Sequence, residues 1–181
     1  VKSLNPLRQL TNLLDLELNN LSINDITPIE ALTQLEQLSL YGLPLLNLQA
    51  LKKLKRLKKL SMQFDVDFDD QIIDYSVLSS LSNLESLEIV TSAIQDFTPI
   101  SLLTNLEYLN LEDTNIANIA GIERLTKLKS LSFKHHDLDD ISPLLTLTSL
   151  EHLAIVSSNF PQEQVGIISQ LKDRGVDVKD W

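Results

Sequence analysis

Apolar residues recur along the chain in one fixed phrase: apolar, two variable residues, apolar, one variable residue, apolar. Its first position falls at Leu13, Leu35, Leu57, Leu84, Leu106, Leu128 and Leu150, in steps of 22, 22, 27, 22, 22 and 22. Three residues on stand Leu16, Leu38, Leu60, Leu87, Leu109, Leu131 and Leu153; two further on stand Leu18, Leu40, Met62, Ile89, Leu111, Phe133 and Ile155. A fixed period of this length is the signature of a repeat architecture. The last two apolar positions are two apart, so both point to one side of a strand. The residue between them and those flanking the pair point to the other side. Each copy therefore predicts one short strand, and successive strands stack in parallel.

The second half of each repeat predicts a turn. Asp25-Ile26-Thr27-Pro28-Ile29 returns as Asp96-Phe97-Thr98-Pro99-Ile100 and as Asp140-Ile141-Ser142-Pro143-Leu144. A hydroxyl residue before proline reads as a helix start, with the hydroxyl oxygen as cap and proline in the first helical position. Few residues remain before the next strand, so the turn is expected to be short and 3₁₀. Asn5-Pro6-Leu7 fits the same register, which places the start of the chain inside a repeat. The long third step holds five extra residues within 65–81, where Asp69 or Asp70 is expected to cap a helix with Ile72, Ile73, Val77 and Leu78 inward. Residues 161–174 read as a helix, with Val165, Ile168 and Leu171 at three-residue steps, Ile167 beside them, and Gly175 at its stop. Val176-Asp177-Val178 alternates like a last short strand. Helix and strand together would cover the final hydrophobic layer, as a solenoid requires. The expected organisation is one domain over residues 1–181, with about seven repeats, a partial repeat at 1–10 and a C-terminal cap at about 160–181.

Over about residues 4–160 this pattern resembles the leucine-rich repeat family, specifically the 22-residue class found in internalins and related bacterial proteins. The three apolar columns and the Asp-Ile-Thr/Ser-Pro-Ile/Leu turns carry the resemblance. It implies an α/β solenoid, coiled as a right-handed superhelix. The parallel sheet would line the concave face, and short 3₁₀ turns the convex side. It also implies a bacterial source and a role in binding proteins without catalysis. One column departs from the family. Asparagine is usual eight residues after the first leucine, where it ties down the backbone; here the positions hold Leu21, Leu43, Asp65, Ser92, Thr114, His136 and Ser158. Leucine has no hydrogen-bonding group, so the first two coils are expected to satisfy their backbone in another way.

Charge narrows the partners. The net charge is −10 with a pI near 4.6, which opposes a surface built to neutralise phosphates and argues against nucleic acid. With 43% hydrophobic and 22% charged residues the chain is globular rather than disordered. No apolar run reaches the roughly 18–20 residues of a membrane span. Cysteine is absent, which removes disulfides and thiol ligands and leaves the compartment open, with the cytoplasm favoured over the bacterial surface or secretion. The chain opens on Val1 rather than methionine, so an upstream segment is expected and targeting is not legible.

Several clusters invite a chemical reading and lose it on inspection. The basic run Lys52-Lys53-Leu54-Lys55-Arg56-Leu57-Lys58-Lys59 bends through a turn in repeat register, so it is expected to be a solvated ridge beside Asp65, Asp67, Asp69, Asp70 and Asp74. Asp65-Val66-Asp67-Phe68-Asp69 begins like a calcium loop, but Asp70 and Ser76 stand where glycine and glutamate are needed. His135 and His136 point apart on a strand, and with His152 they show no metal-ligand spacing. Asp15 and Glu17 would lie about 6–7 Å apart on one strand face, a separation suited to glycoside hydrolysis only within a closed cleft. No metal, cofactor or catalytic residue is expected.

The strand residues that avoid the core are the candidate working surface. At roughly 4.8 Å between strands, seven strands span about 30–35 Å, the scale of a protein partner. Aromatic and apolar residues stand out where solvent favours polar ones. The expected contacts are Tyr41, Glu88, Val90, Tyr108, Asn110, Glu112, Lys134, His152 and Val156, centred on coils four to seven around Tyr108. The expected molecule is a monomer that binds a protein on this face. The alternative is a spacer segment of a larger protein whose activity lies upstream.

Overall fold

The computed structural model describes residues 3–45, 47–64, 73–90, 94, 96–114, 116–134, 138, 140–156 and 164–180. Each copy of the apolar phrase forms a five-residue strand: β1 (Asp15–Asn19), β2 (Gln37–Tyr41), β3 (Lys59–Gln63), β4 (Ser86–Val90), β5 (Tyr108–Glu112), β6 (Ser130–Lys134) and β7 (His152–Val156). An eighth, β8 (Asp177–Asp180), closes the chain. All eight form one parallel sheet in chain order. Equivalent positions stack in straight rows: Asp15 pairs with Gln37, Gln37 with Lys59, Lys59 with Ser86 and Ser86 with Tyr108. The long third step leaves this register intact, so its extra residues are absorbed between β3 and the next turn.

Alternation along the strands fills the core. All three apolar columns are buried except Leu13 and Leu16, which are half-buried in the first coil. On the convex side a matching row of Ile29, Leu51, Leu78, Ile100, Ile122 and Leu144 is fully buried. Each coil thus encloses its apolar residues between strand and turn, and each layer is sealed by its neighbours. Beside the first layer Leu10 and Leu14 are exposed.

The convex turns are 3₁₀ at Asn5–Gln9, Thr27–Ala31, Gln49–Lys53, Tyr75–Ser80, Ile122–Arg124 and Ser142–Thr146, with one four-residue α-helical turn, α1 (Thr98–Ser101). Their caps differ from expectation. The oxygens come from the aspartates two residues upstream, since Asp25, Asp96 and Asp140 accept from the N–H groups of Thr27, Thr98 and Ser142 at 2.8 Å. The Ser142 hydroxyl itself donates to Asp140 at 2.8 Å. A carboxylate can take both hydrogen bonds in an Asx turn, so the hydroxyl acts as donor where an acceptor was expected. The same row continues with Asn47 to Gln49, Asp74 to Ser76 and Asn118 to Ala120. These hydrogen bonds hold the carboxyls of Asp25, Asp74 and Asp96 below the usual range, the side chains of Thr27, Ser76 and Thr98 contributing first and their N–H groups next; for Asp140 the N–H of Ser142 leads. In the long repeat it is Asp74 that starts the turn, a 3₁₀ one, and Ile73, Val77 and Leu78 are buried as expected. Asp69, Asp70 and Ile72 lie outside the described residues.

After β1, β2 and β5 the chain leaves the sheet through a left-handed residue. Asn20, Gly42 and Asp113 occupy one row just beyond the strands, with φ of 50°, 58° and 55°. These are the residue types that tolerate that region. Leu43 is buried and Leu21 half-buried in the row usually held by asparagine. Here the backbone closes on itself: the Ile23 and Leu45 N–H groups donate to the Leu21 and Leu43 carbonyls at 2.8 Å, the i to i+2 pattern of γ-turns. Thr114 is fully buried in the same row; Asp65, Ser92, His136 and Ser158 lie outside the described residues.

At the C-terminus α2 (Val165–Asp173) packs Ile168 and Leu171 inward and stops at Gly175, whose φ is +89°. Val165 is 56% exposed, against expectation. Three-residue steps drift about 60° each around a helix, so Val165 has left the face that Leu171 occupies. Arg174 completes the cap by donating from its two terminal nitrogens to the Leu145 and Leu147 carbonyls at 2.6 and 2.8 Å.

Candidate protein-interaction surface

Three rows of side chains cross the outer face of the sheet. The first runs Asp15, Gln37, Lys59, Ser86, Tyr108, Ser130, His152 and Asp177; the second runs Glu17, Ser39, Ser61, Glu88, Asn110, Ser132, Ala154 and Lys179. The third begins Asn19, Tyr41, Gln63, Val90, and Glu112 continues it from Val90. Along the first row Tyr108 is 38% exposed, a large side chain between the small Ser86 and Ser130. Burial of its phenol pushes the hydroxyl above its ordinary pKa, the charges of Glu88 and Glu112 push the same way, and a hydrogen bond with Asn110 opposes them.

The second row is sunk between the other two. Asn110, expected among the solvent-facing residues, is 6% exposed. Its neighbours on the same strand and on β4 crowd it, and its amide Nδ2 donates to Glu88 Oε1 at 3.1 Å. Glu88 Oε2 takes a short hydrogen bond from the Ser61 hydroxyl. A polar chain thus links β3, β4 and β5 beneath the exposed ring. From Tyr108 and Asn110 a shallow depression of about 310 Å³ runs past Ser132 and His152 to Asp177 and Lys179. His152 Nδ1 lies 3.4 Å from Asp177 Oδ2.

The structure therefore gathers Glu88, Val90, Tyr108, Asn110 and Glu112 on adjacent strands and places His152 at the far side of the depression. Tyr41 is half-exposed on β2, three strands from Tyr108, and stands apart from that group. Lys134 and Val156 belong to β6 and β7, but their side chains lie outside the described residues. Asp177 and Lys179 were missed. The alternation at residues 176–178 marked the strand, and carrying the rows onto it would have found both.

The remaining clusters resolve simply. The basic run splits across a flank: Arg56 and Lys58 pair with Glu36 at 3.2 and 2.8 Å, while Lys55 donates to the Ser80 carbonyl at 2.9 Å. A trough of about 320 Å³ on that flank carries both signs, with Glu36, Lys58, Glu85, Glu107 and Lys127 along it. These exposed pairs are screened by solvent and contribute little. The calcium-like loop at 65–70 and His135 and His136 lie outside the described residues. Among the described residues no three His, Cys, Asp or Glu side chains gather as metal ligands, and no helix is long and apolar enough to cross a membrane.

No family model matches the sequence, and no curated protein matches it. Solved structures do. An internalin (inlF) from Listeria monocytogenes superposes with a TM-score of 0.79 at 29% identity, over 99% of this chain and 52% of that one. Internalin C2 from the same species gives 0.77 at 28% identity, over 100% of this chain and 76% of that one. The chain thus spans about half the length of the first and about three quarters of the second. Their likeness supports a protein-interaction module in general terms. Whole-chain superposition, the single parallel sheet and the 22-residue register agree: the chain has a leucine-rich-repeat fold of 22-residue period, similar to that of the internalins.

Proposed function

We propose that the chain is a non-catalytic module, acting as a monomer, that binds a partner protein on the concave face across coils four to seven. The observation that carries this reading is the exposed Tyr108 at the head of the depression that continues to Lys179. Tyrosine gives contact area at low entropic cost and is enriched among residues that dominate binding. An eight-strand face of about 34 Å matches a folded partner in size. Asp15 and Glu17 are both exposed on the first strand, where no walls exclude water around a reacting bond, which favours binding over hydrolysis. The test is a Tyr108→Ala, Glu112→Lys double variant in affinity capture from the source cell. Loss of the partner with the melting transition retained is the expected result. A folded double variant that captures it at full strength refutes the proposal.

A further inference from the structure

We infer that Tyr108, Asn110 and Glu88 form a seat for a cationic side chain of the partner, arginine by preference. This rests on the concave-face reading and adds the chemistry of the contact. Asn110 Oδ1 is buried and accepts no hydrogen bond among the described residues, although the residue is only 6% exposed. Its Nδ2 is committed to Glu88 and to the Tyr108 hydroxyl, so the group left to pair is an acceptor. Buried acceptors left without a donor are unfavourable, and the residue that carries this one lines the depression.

The surroundings select the donor. Glu88 is fixed from both sides by Ser61 and Asn110, and both donors are neutral, so its charge is held in place without being cancelled. Among the described residues no cation lies within ion-pair distance of it. Tyr108 feels that charge together with that of Glu112. The serines on either side of Tyr108 leave its ring uncovered for a cation to stack. Beyond Asn110 the row continues with Ser132 and Ala154, which leaves room for an incoming side chain. Of the described lysines on this face, Lys59 stands on β3 and forms no ion pair with Glu88, and Lys179 stands three strands from Asn110, roughly 14 Å by strand spacing. A flat guanidinium fork can place one N–H on Asn110 Oδ1 and another on Glu88 while lying on the ring; an ammonium offers a single point.

The experiment is an amide-detected NMR titration of the whole chain with the blocked tripeptide Ala-Arg-Ala, against the same peptide carrying lysine or uncharged citrulline. Shifts confined to Tyr108, Asn110, its side-chain amide and Glu88 are expected, with citrulline about tenfold weaker or worse and lysine intermediate. Glu88→Gln and Asn110→Leu should each weaken the arginine peptide by about tenfold, and added salt should weaken it further. Equal binding of arginine and citrulline, absent shifts at these residues, or full binding by folded Glu88→Gln overturns the inference. The two readings separate cleanly. If the peptide arm fails while Tyr108→Ala, Glu112→Lys abolishes partner capture, the seat is wrong and the concave-face reading stands. If the peptide binds as expected but the folded double variant still captures the partner at full strength, the concave-face reading fails and with it the seat's role toward that partner, while the arginine chemistry of the site stands.

Discussion

Leu109 and Leu16 occupy the same column of the repeat, four coils apart, and the structure gives them unequal weight. Leu109 is 0% exposed, between coils on both sides, whereas Leu16 is half-buried in the first layer. Leu109→Ala removes buried methyl groups and leaves a cavity that flanking layers hold open, at a cost of about 2–5 kcal/mol. For a chain of this size each kcal/mol lowers the melting temperature by about 2–4 °C, so a drop of roughly 7–14 °C is expected at the middle of that range. Leu16→Ala removes the same atoms where solvent already reaches them and no closed cavity forms, so the cost is about 1 kcal/mol or less. In a solenoid each coil contacts only its neighbours, and an end coil opens at lower free energy than an interior one. Urea unfolding followed by far-UV circular dichroism measures both variants, and hydrogen exchange at β1 and β5 measures the local difference. A Leu16→Ala loss as large as that of Leu109→Ala would refute the claim that the first layer is only partly sealed. So would β1 amides as protected as those of β5.

Two further outcomes follow from the turns and the cap. Arg174→Ala should cost about 1–3 kcal/mol, because two charge-assisted hydrogen bonds to the Leu145 and Leu147 carbonyls are lost; Arg174→Lys should recover less than half in the same melt, since one ammonium cannot reproduce the fork. The Asx-turn aspartates have folded pKa values below the ordinary 3.8, so the folded state binds fewer protons than the unfolded chain as pH falls through that value. Their stabilisation is complete above the ordinary value and is lost on acidification toward the depressed one. Asp96→Asn with Asp140→Asn keeps an acceptor and removes the titration, so its melting temperature should fall less steeply below pH 4 than that of the parent; parallel slopes would refute the role of these carboxylates.

Much of the fold was legible because a repeat states the same constraint many times. Three apolar columns, a two-residue alternation and one proline-marked turn fix the sheet order and register without any long-range information. What escaped reading has a common cause. Hydrogen-bond direction cannot be inferred from residue type when the candidate side chain both donates and accepts, which is why Thr27, Thr98 and Ser142 were expected to cap and turned out to donate. The row Asp25, Asn47, Asp74, Asp96, Asn118, Asp140 keeps the repeat spacing and was open to detection. Its members share an oxygen acceptor rather than hydrophobicity, and a search for apolar period passes over them. The left-handed row Asn20, Gly42, Asp113 was passed over for the same reason. Val165 failed differently, since a three-residue step satisfies a helical pattern locally while drifting off its face.

The candidate surface shows where a two-sided reading of a strand stops working. Alternation sorts side chains into inward and outward sets, and it correctly put Leu109 and Leu111 in the core and Tyr108 outside. It also put Asn110 outside, yet Asn110 is as buried as several core residues. The sheet is parallel and in register, so the middle row of the outer face is flanked by neighbours along its strand and across both adjacent strands. Position within the face, rather than side of the strand, therefore decides exposure. Small residues at Ser39, Ser61, Ser132 and Ala154 fit that crowding, whereas Glu88 and Asn110 meet it by hydrogen-bonding each other and Ser61. Those two residues are in consequence neither core nor free surface. A substitution there acts on both: Asn110→Leu removes a buried unpaired acceptor together with the donor to half-buried Glu88, two effects of opposite sign that leave a small net change in stability, while it removes the group that the proposed cationic side chain would engage. Binding should fall with little change in stability at Asn110 and the two should fall together at Leu109, and that contrast separates a binding residue from a structural one within a single strand.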